Sequence, residues 1–543
     1  MTDELVKLAD EFWTWRTVAQ PDTRDDLPRV DRPAGWVPDW SAAAIADRRR
    51  VLADLTRRHA ALDLSGEPVE VQVDGRLLGS ALARAHGELE LVRAWQRDPV
   101  WYLDQSLGAV YVALLAPPPF DGERAAAVLD RLGAVPDVLA QARENLADTA
   151  AEPFARYTVR LLSEVDGSVE EAMDALRPLL PQPYGNRLAD VAKAAAAAVT
   201  GYRDWLVARL PSWGDAEPVG ADALGHLLHR AALLPHSAGR LREMGRQEWD
   251  RAVGFESVLR ARHHDASPHE PPRDVADLIA RQQACEYGVR GFCVYKSLLS
   301  QPDTLRHYRF AARPGYLAPL SWLGVCDDLT SQARAGEDAT RWVPLPQADL
   351  PYFDAAAVLD PRTAIAHEGV HAQQLALGWA HANPARRHFY DSVPNEGIAF
   401  YHEELMLQAG LFDDAPASAV FIANAMRLRA LRVEVDIALA VGDLTIEQAA
   451  DRLAQTVPVD RQTAWEESVF FAGNPGQGLS YATGKLQILD LLATATRVQG
   501  EEFDLRAFHD RLWREGNVPI ALQRWELLGL RDQLDEADRL SRT

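Results

Sequence analysis

The sequence predicts a mostly α-helical protein, one large helical body with little β structure. Three observations predict it. Apolar residues recur at spacings of three and four along most of the chain, among abundant Ala, Leu, Arg and Glu. Runs that alternate with period two are short and few. The helical stretches are broken by clusters of Pro, Gly and Asp rather than by long linkers.

In chain order, the spacing predicts helices over residues 42–62, 80–96, 122–148, 168–180, 186–210, 221–233 and 240–262. Breaks fall at Ala116-Pro117-Pro118-Pro119, at Pro181-Gln182-Pro183 and from Ser267-Pro268 to Pro272. Val69-Glu70-Val71-Gln72-Val73 alternates and is the first strand candidate. Arg341 to Pro346 is a weaker second. There is no repeat of fixed period. We expect one continuous fold in two halves, residues 1–270 and a catalytic half 271–543, dividing near 265–275.

The chain has 543 residues and a net charge of -22. Such an acidic surface argues against nucleic acid and anionic membranes as partners. It favours solubility, and the expected partner is a small-molecule or short-peptide substrate. No stretch approaches the ~20 apolar residues of a membrane span, and the first residues lack the charged and apolar regions of a secretory signal. Cys285, Cys293 and Cys326 form no C-x-x-C pair. An odd, sparse set fits core thiols in a reducing cytoplasm. Oligomeric state has no signature in the sequence.

The chemistry concentrates at His367-Glu368-Gly369-Val370-His371. Residues four apart share a helix face, so both imidazoles can reach one metal ion. Asp360-Pro361 is a helix start and Gly378 a stop, which places the motif mid-helix. Glu368 lies about 100° round the helix from His367, close enough to act as base on a water at the metal. A catalytic zinc needs a third protein ligand and an open position. Glu396, 25 residues after His371 and near the start of a second helix, is the candidate. Two imidazoles and one carboxylate suit a single Zn²⁺ best. His381 and His388 lie between and are expected at the surface. Glu403, seven residues past Glu396, shares its face and can hold the second nitrogen of a ligand histidine. Asn474-Pro475-Gly476 is a turn, and the helix after it carries Gln477, Tyr481 and Lys485 at spacings of four. Tyr481 and its face are candidates for oxyanion and substrate contacts.

Four ordered stretches resemble the DUF885 family, bacterial proteins related to metallopeptidases. They are His367 to Gln374, Glu396-Gly397-Ile398-Ala399, Pro475-Gly476-Gln477 with Tyr481 and Gly484-Lys485, and Phe508-His509-Asp510. Glu11-Phe12-Trp13 with Trp15, and Met244 to Glu248, resemble family segments more weakly. The resemblance implies a metallopeptidase-like helical body with a deep central channel. Three positions depart from the family pattern. The chain has a compact H-E-x-x-H where many members carry a Pro-Gly insertion. Phe470-Phe471 stands where the family has Arg-Tyr, so these two residues enter the expected substrate contacts. Asp436 is kept as a supporting carboxylate, but Ala440 stands where a histidine is expected.

The expected activity is zinc-dependent hydrolysis of peptide or amide bonds, with His367, His371 and Glu396 as ligands and Glu368 as general base. The alternative keeps the metal but acts on a specialised small molecule, an amide, ester or modified amino acid in a biosynthetic pathway. A non-catalytic zinc protein is disfavoured. Glu368 has no role in a structural site, and no cysteine lies near these residues.

Overall fold

The computed structural model describes residues 3–23, 30–163, 166–263, 270–344, 350, 352–457 and 459–542. Helix takes up 73% of the chain and strand 2%, so the protein is mostly α. The long helices of the first half are α1 (Asp3–Ala19), α2 (Ala42–Ala60), α3 (Val69–His86), α4 (Gly122–Leu146), α5 (Gln182–Arg209) and α6 (Ala238–Arg262). Three begin at residues suited to the task. Ser41, Asp121 and Ser237 accept from the backbone N–H three residues on, which satisfies one orphan donor at each start.

The strand expected at Val69–Val73 is instead the first part of α3. Pro68 precedes it, and its carbonyl accepts from the N–H groups of Val71 and Gln72. Val71, Asp74, Gly75, Leu78 and Leu82 are all buried. That is helical spacing, and the packing overrides the β preference of three valines. Asp74 accepts from Arg386 Nε at 2.8 Å, so α3 is also tied to the second half.

The second half opens with α7 (Val275–Tyr295). A small sheet follows, made of β1 (Tyr308–Ala312), β2 (Asp327–Asp328) and β3 (Ala339–Val343) in the order β1-β3-β2. β1 runs parallel to β3, and β2 antiparallel. β3 overlaps the expected stretch Arg341 to Pro346 at residues 341–343 but begins two residues earlier, and the last two residues of that stretch are outside those described. Then come α8 (Arg362–Trp379), α9 (Ser392–Ala409), α10 (Pro416–Val441), α11 (Arg461–Gly473), α12 (Gln477–Gln499), α13 (Leu505–Glu515) and α14 (Ile520–Leu528). Helices α9, α10 and α12 are buried along much of their length.

The two halves interlock. The core around α1, α3, α4 and α5 also takes Leu522 and Trp525 from α14. Arg84 of α3 forms an ion pair with buried Asp391. The break from Ser267-Pro268, and with it much of the expected division near 265–275, lies outside the described residues. Among the described residues, no helix is long and apolar enough to cross a membrane.

Candidate metal centre

Helix α8 is fixed at its start by Asp360. Its carboxylate accepts from the Arg362 N–H at 3.1 Å and from Ser418 Oγ of α10 at 2.6 Å. The helix passes through Gly378 and ends at Trp379, beyond the expected stop. His367 and His371 are one turn apart and buried. Glu396 projects from the second turn of α9, which starts at the Asp391 cap.

The three side chains converge. Glu396 Oε2 lies 3.3 Å from His367 Nε2 and 3.6 Å from His371 Nε2. One ligand atom from each residue falls within 4.8 Å of the others. Glu396 is 5% exposed, yet Oε2 has no hydrogen-bond partner, and buried His371 Nδ1 also has none. A buried carboxylate oxygen left unpaired is costly unless a cation satisfies it. Ligand atoms about 2.0–2.1 Å from a tetrahedral zinc lie about 3.4 Å apart, so the spacing and donor set fit that ion.

The ligand orientation is held from behind. His367 Nδ1 donates to Glu403 Oε1 at 2.6 Å, which leaves Nε2 as the free lone pair. Arg429 Nη1 of α10 donates to Glu403 Oε2 at 2.8 Å. Burial lowers the His367 pKa, but the adjacent carboxylates of Glu396 and Glu403 outweigh it and raise the imidazole to about 9. Burial raises Glu396, but the two histidines win and hold it well below the usual carboxylate range.

Tyr481 of α12 borders the cluster, its ring stacked on His367 at 6.2 Å between centroids. The guanidinium groups of Arg429 and Arg432 lie 5.5 Å and 5.3 Å from that ring. This closeness needs two glycines. A Cβ on Gly397 of α9 would fall 2.6 Å from Gly484 Cα, and one on Gly484 of α12 would fall 2.0 Å from the Val393 carbonyl oxygen. The helices touch backbone to backbone, which carries Glu396 and Tyr481 to one site.

Glu368 stands outside the ligand set and is half-buried. With Tyr308 and Arg341 it lines a hollow of about 30 Å³ against the small sheet. Asp327 lies opposite Arg341 in the β2–β3 register and accepts from Arg341 Nη1 at 2.8 Å and from Tyr308 Oη at 3.0 Å. The sheet thus places one cation and one phenol beside the expected base.

Other expected positions lie elsewhere. Lys485 is fully buried and paired with Glu248 and, at 2.8 Å, with Glu404. It is an ion-pair residue of the core, not a substrate contact. Asp436 accepts from the N–H groups of Gly476 at 3.0 Å and Leu479 at 2.9 Å. Burial nevertheless raises it to about 7. It anchors the start of α12 and makes no contact with a ligand histidine among its described hydrogen bonds. Phe471 is buried against Gly478. Phe470 and Gln477 line a cavity of about 320 Å³ rather than the His-His-Glu cluster itself. His381 and His388 are half-buried rather than on the surface. His381 Nε2 is 3.3 Å from Glu515 Oε2, and His388 packs on Trp13. Arg429, Arg432, Tyr308 and Arg341 escaped the sequence reading. For the two α10 arginines a signal exists, since with Arg427 they make this mostly apolar helix arginine-rich, and both are buried.

A mostly helical body with a buried His-His-Glu cluster is thus the class that fold and site define. The DUF885 family profile, "Bacterial protein of unknown function", matches residues 27–284 and 333–526, and the chain belongs to that family. Two solved structures share the fold, each described as a "putative lipoprotein". The one from Shewanella oneidensis, of unknown function, has TM-score 0.72 at 15% identity and covers 97% of this chain and 99% of its own. The one from Colwellia psychrerythraea has TM-score 0.71 at 16% identity and covers 99% and 98%. No curated protein matches the chain.

Proposed function

We propose that the protein is a zinc-dependent hydrolase of peptide or amide bonds. The observation that carries this reading is Glu396 Oε2, buried without a hydrogen bond and 3.3 Å and 3.6 Å from two imidazole nitrogens. His367, His371 and Glu396 would hold the ion. When bound, zinc supplies Lewis acidity that lowers the pKa of water and polarises a carbonyl. Glu403 keeps His367 in the tautomer that presents Nε2. Glu368 takes a proton from the attacking water and returns it to the leaving amine as the C–N bond breaks and a C–O bond forms. Tyr481, beside His367, supports the developing oxyanion.

A second reading keeps this chemistry but gives it a specialised small molecule, an amide, ester or modified amino acid. Phe470 favours it. Where the family pattern has an arginine, this phenyl ring faces the 320 Å³ cavity. We take that cavity as the form the expected deep channel has in this chain. Its three cysteines are all free, which fits a reducing cytoplasm.

The test combines metal analysis with turnover. Wild type should carry about one zinc per chain, and His371→Ala little. Glu368→Gln should keep the zinc and lose about 10²–10⁴ in rate on the amides that wild type cleaves. Unchanged turnover in Glu368→Gln overturns the assignment.

A further inference from the structure

We infer that the 320 Å³ cavity is the specificity pocket of the metal centre and takes a neutral aromatic group of an amide substrate. This rests on the hydrolase reading and adds the substrate class.

Position is the first argument. The cavity lies between α1 and α3 of the first half and the starts of α9 and α12, where its wall includes Ser392, Val393 and Gln477. Ser392 is four residues before Glu396, and Gln477 four before Tyr481. Each pair shares a helix face, and four residues rise about 6 Å. A substrate whose carbonyl sits beside Tyr481 at the His-His-Glu cluster therefore has its next group towards the cavity.

Wall chemistry is the second. Trp13, Trp15, Trp40, Trp95 and Trp101 all line it, as does Phe470. Aromatic walls favour an aromatic guest by area and by edge-to-face contact. A dry cavity of roughly 150 Å³ holds a benzene, so 320 Å³ has room for one ring and its linker or for a fused pair.

Charge is the third. Charged groups on the wall are engaged by the protein itself. Arg16 pairs with Glu88 at 3.0 Å. Arg84 pairs with Asp391. Arg48 donates to the Asp39 carbonyl at 2.7 Å and lies over the Trp40 ring. A charged guest would have to compete with these partners, whereas a neutral ring would not. Arg48 Nε and Arg84 Nε are buried without a hydrogen-bond partner, although other nitrogens of both guanidinium groups are engaged. Gln477 Nε2 is buried without a hydrogen-bond partner and can donate to a carbonyl oxygen.

The test is a tryptophan-fluorescence titration, since five tryptophans form the wall. The probes are N-acetylphenylalaninamide and N-acetylglycinamide. They are added to wild type, to chelator-treated protein and to Glu368→Gln. We expect the phenylalanine amide to change the emission and bind at least about tenfold tighter than the glycine amide in all three, because ring burial supplies the difference. Ala94→Phe and Ala19→Leu narrow the cavity from two different helices and should each weaken the aromatic probe at least about fivefold. Gln477→Leu should weaken both probes. Equal binding of the two amides, or unchanged binding in both narrowed variants, overturns the pocket. Binding by the chelated protein tests the cavity alone, and turnover in Glu368→Gln tests the hydrolase reading alone, so the two failures are distinguishable.

Discussion

Helix α9 carries two buried polar clusters that share one helical core and differ in one respect. The first is Glu396 and Glu403 with His367 and His371. The second is Glu404 with Glu248, Lys485 and Arg251. In the second, Arg251 bridges both carboxylates at 2.7 Å and Lys485 joins them from the other side. Two cations face two anions, and the charge closes. In the first, Glu403 is closed by His367 and Arg429, but Glu396 keeps a buried oxygen without a hydrogen bond. A closed cluster holds helices together. An open one holds a place for something else.

The largest effect should come from breaking the closed cluster. Lys485→Met leaves two buried carboxylates with only Arg251 and should cost about 3–5 kcal/mol of stability. Denaturant unfolding measures it, and zinc per folded chain should not change. A loss of zinc at unchanged stability would place Lys485 in the other cluster.

Gly484→Ala should hurt both clusters, because its Cβ would collide with the Val393 carbonyl where α9 meets α12. Overpacking there should cost about 1–3 kcal/mol, with weaker zinc binding besides. Retained stability and zinc affinity would show that the helices separate freely.

Glu403→Gln sharpens the open cluster. It removes the charge that orients His367 and should weaken zinc affinity about 10–100-fold with little change in fold. Competition with a chromophoric chelator measures it.

The smallest effect is a pH dependence. Burial raises Glu404, but Arg251 and Lys485 outweigh it and lower the carboxyl to about 2 from a usual 4.5. A depressed acid stabilises the fold above its unfolded pKa. That contribution is lost as pH falls from about 4.5 towards 2. Wild type should lose stability over that window, and Glu404→Gln should flatten the acid limb. An unchanged acid limb would mean that the cluster is not closed in solution.

Sequence and structure agree where chemistry follows local spacing. His367 and His371 are one turn apart in any helix, so their shared face was legible. The glutamate near the start of the next helix was legible too, as was Glu403 seven residues on. Face sharing alone misled at Lys485. It does share a face with Tyr481, but that face runs along the helix, and four residues on it meets Glu248 and Glu404 instead of the cluster. Asp436 misled for a similar reason. A carboxylate on the arginine-rich helix points to the backbone of α12, and nothing in its neighbours says so.

By itself the sequence determined the helical class, the pairing of two imidazoles on one helix and the glutamate between them. These depend on periodicity, which acts over a few residues. Only the tertiary structure decided which carboxylates are closed by cations and which oxygen is left unpaired. It alone brought Tyr308 and Arg341 to Glu368, and five tryptophans of the first half to a cavity bordered by the starts of α9 and α12 in the second. Those relations join residues that no local periodicity connects, from 27 positions apart for Arg341 and Glu368 to several hundred for the tryptophans. They depend on how closely helices pack, and in one place on two glycines that let backbones touch.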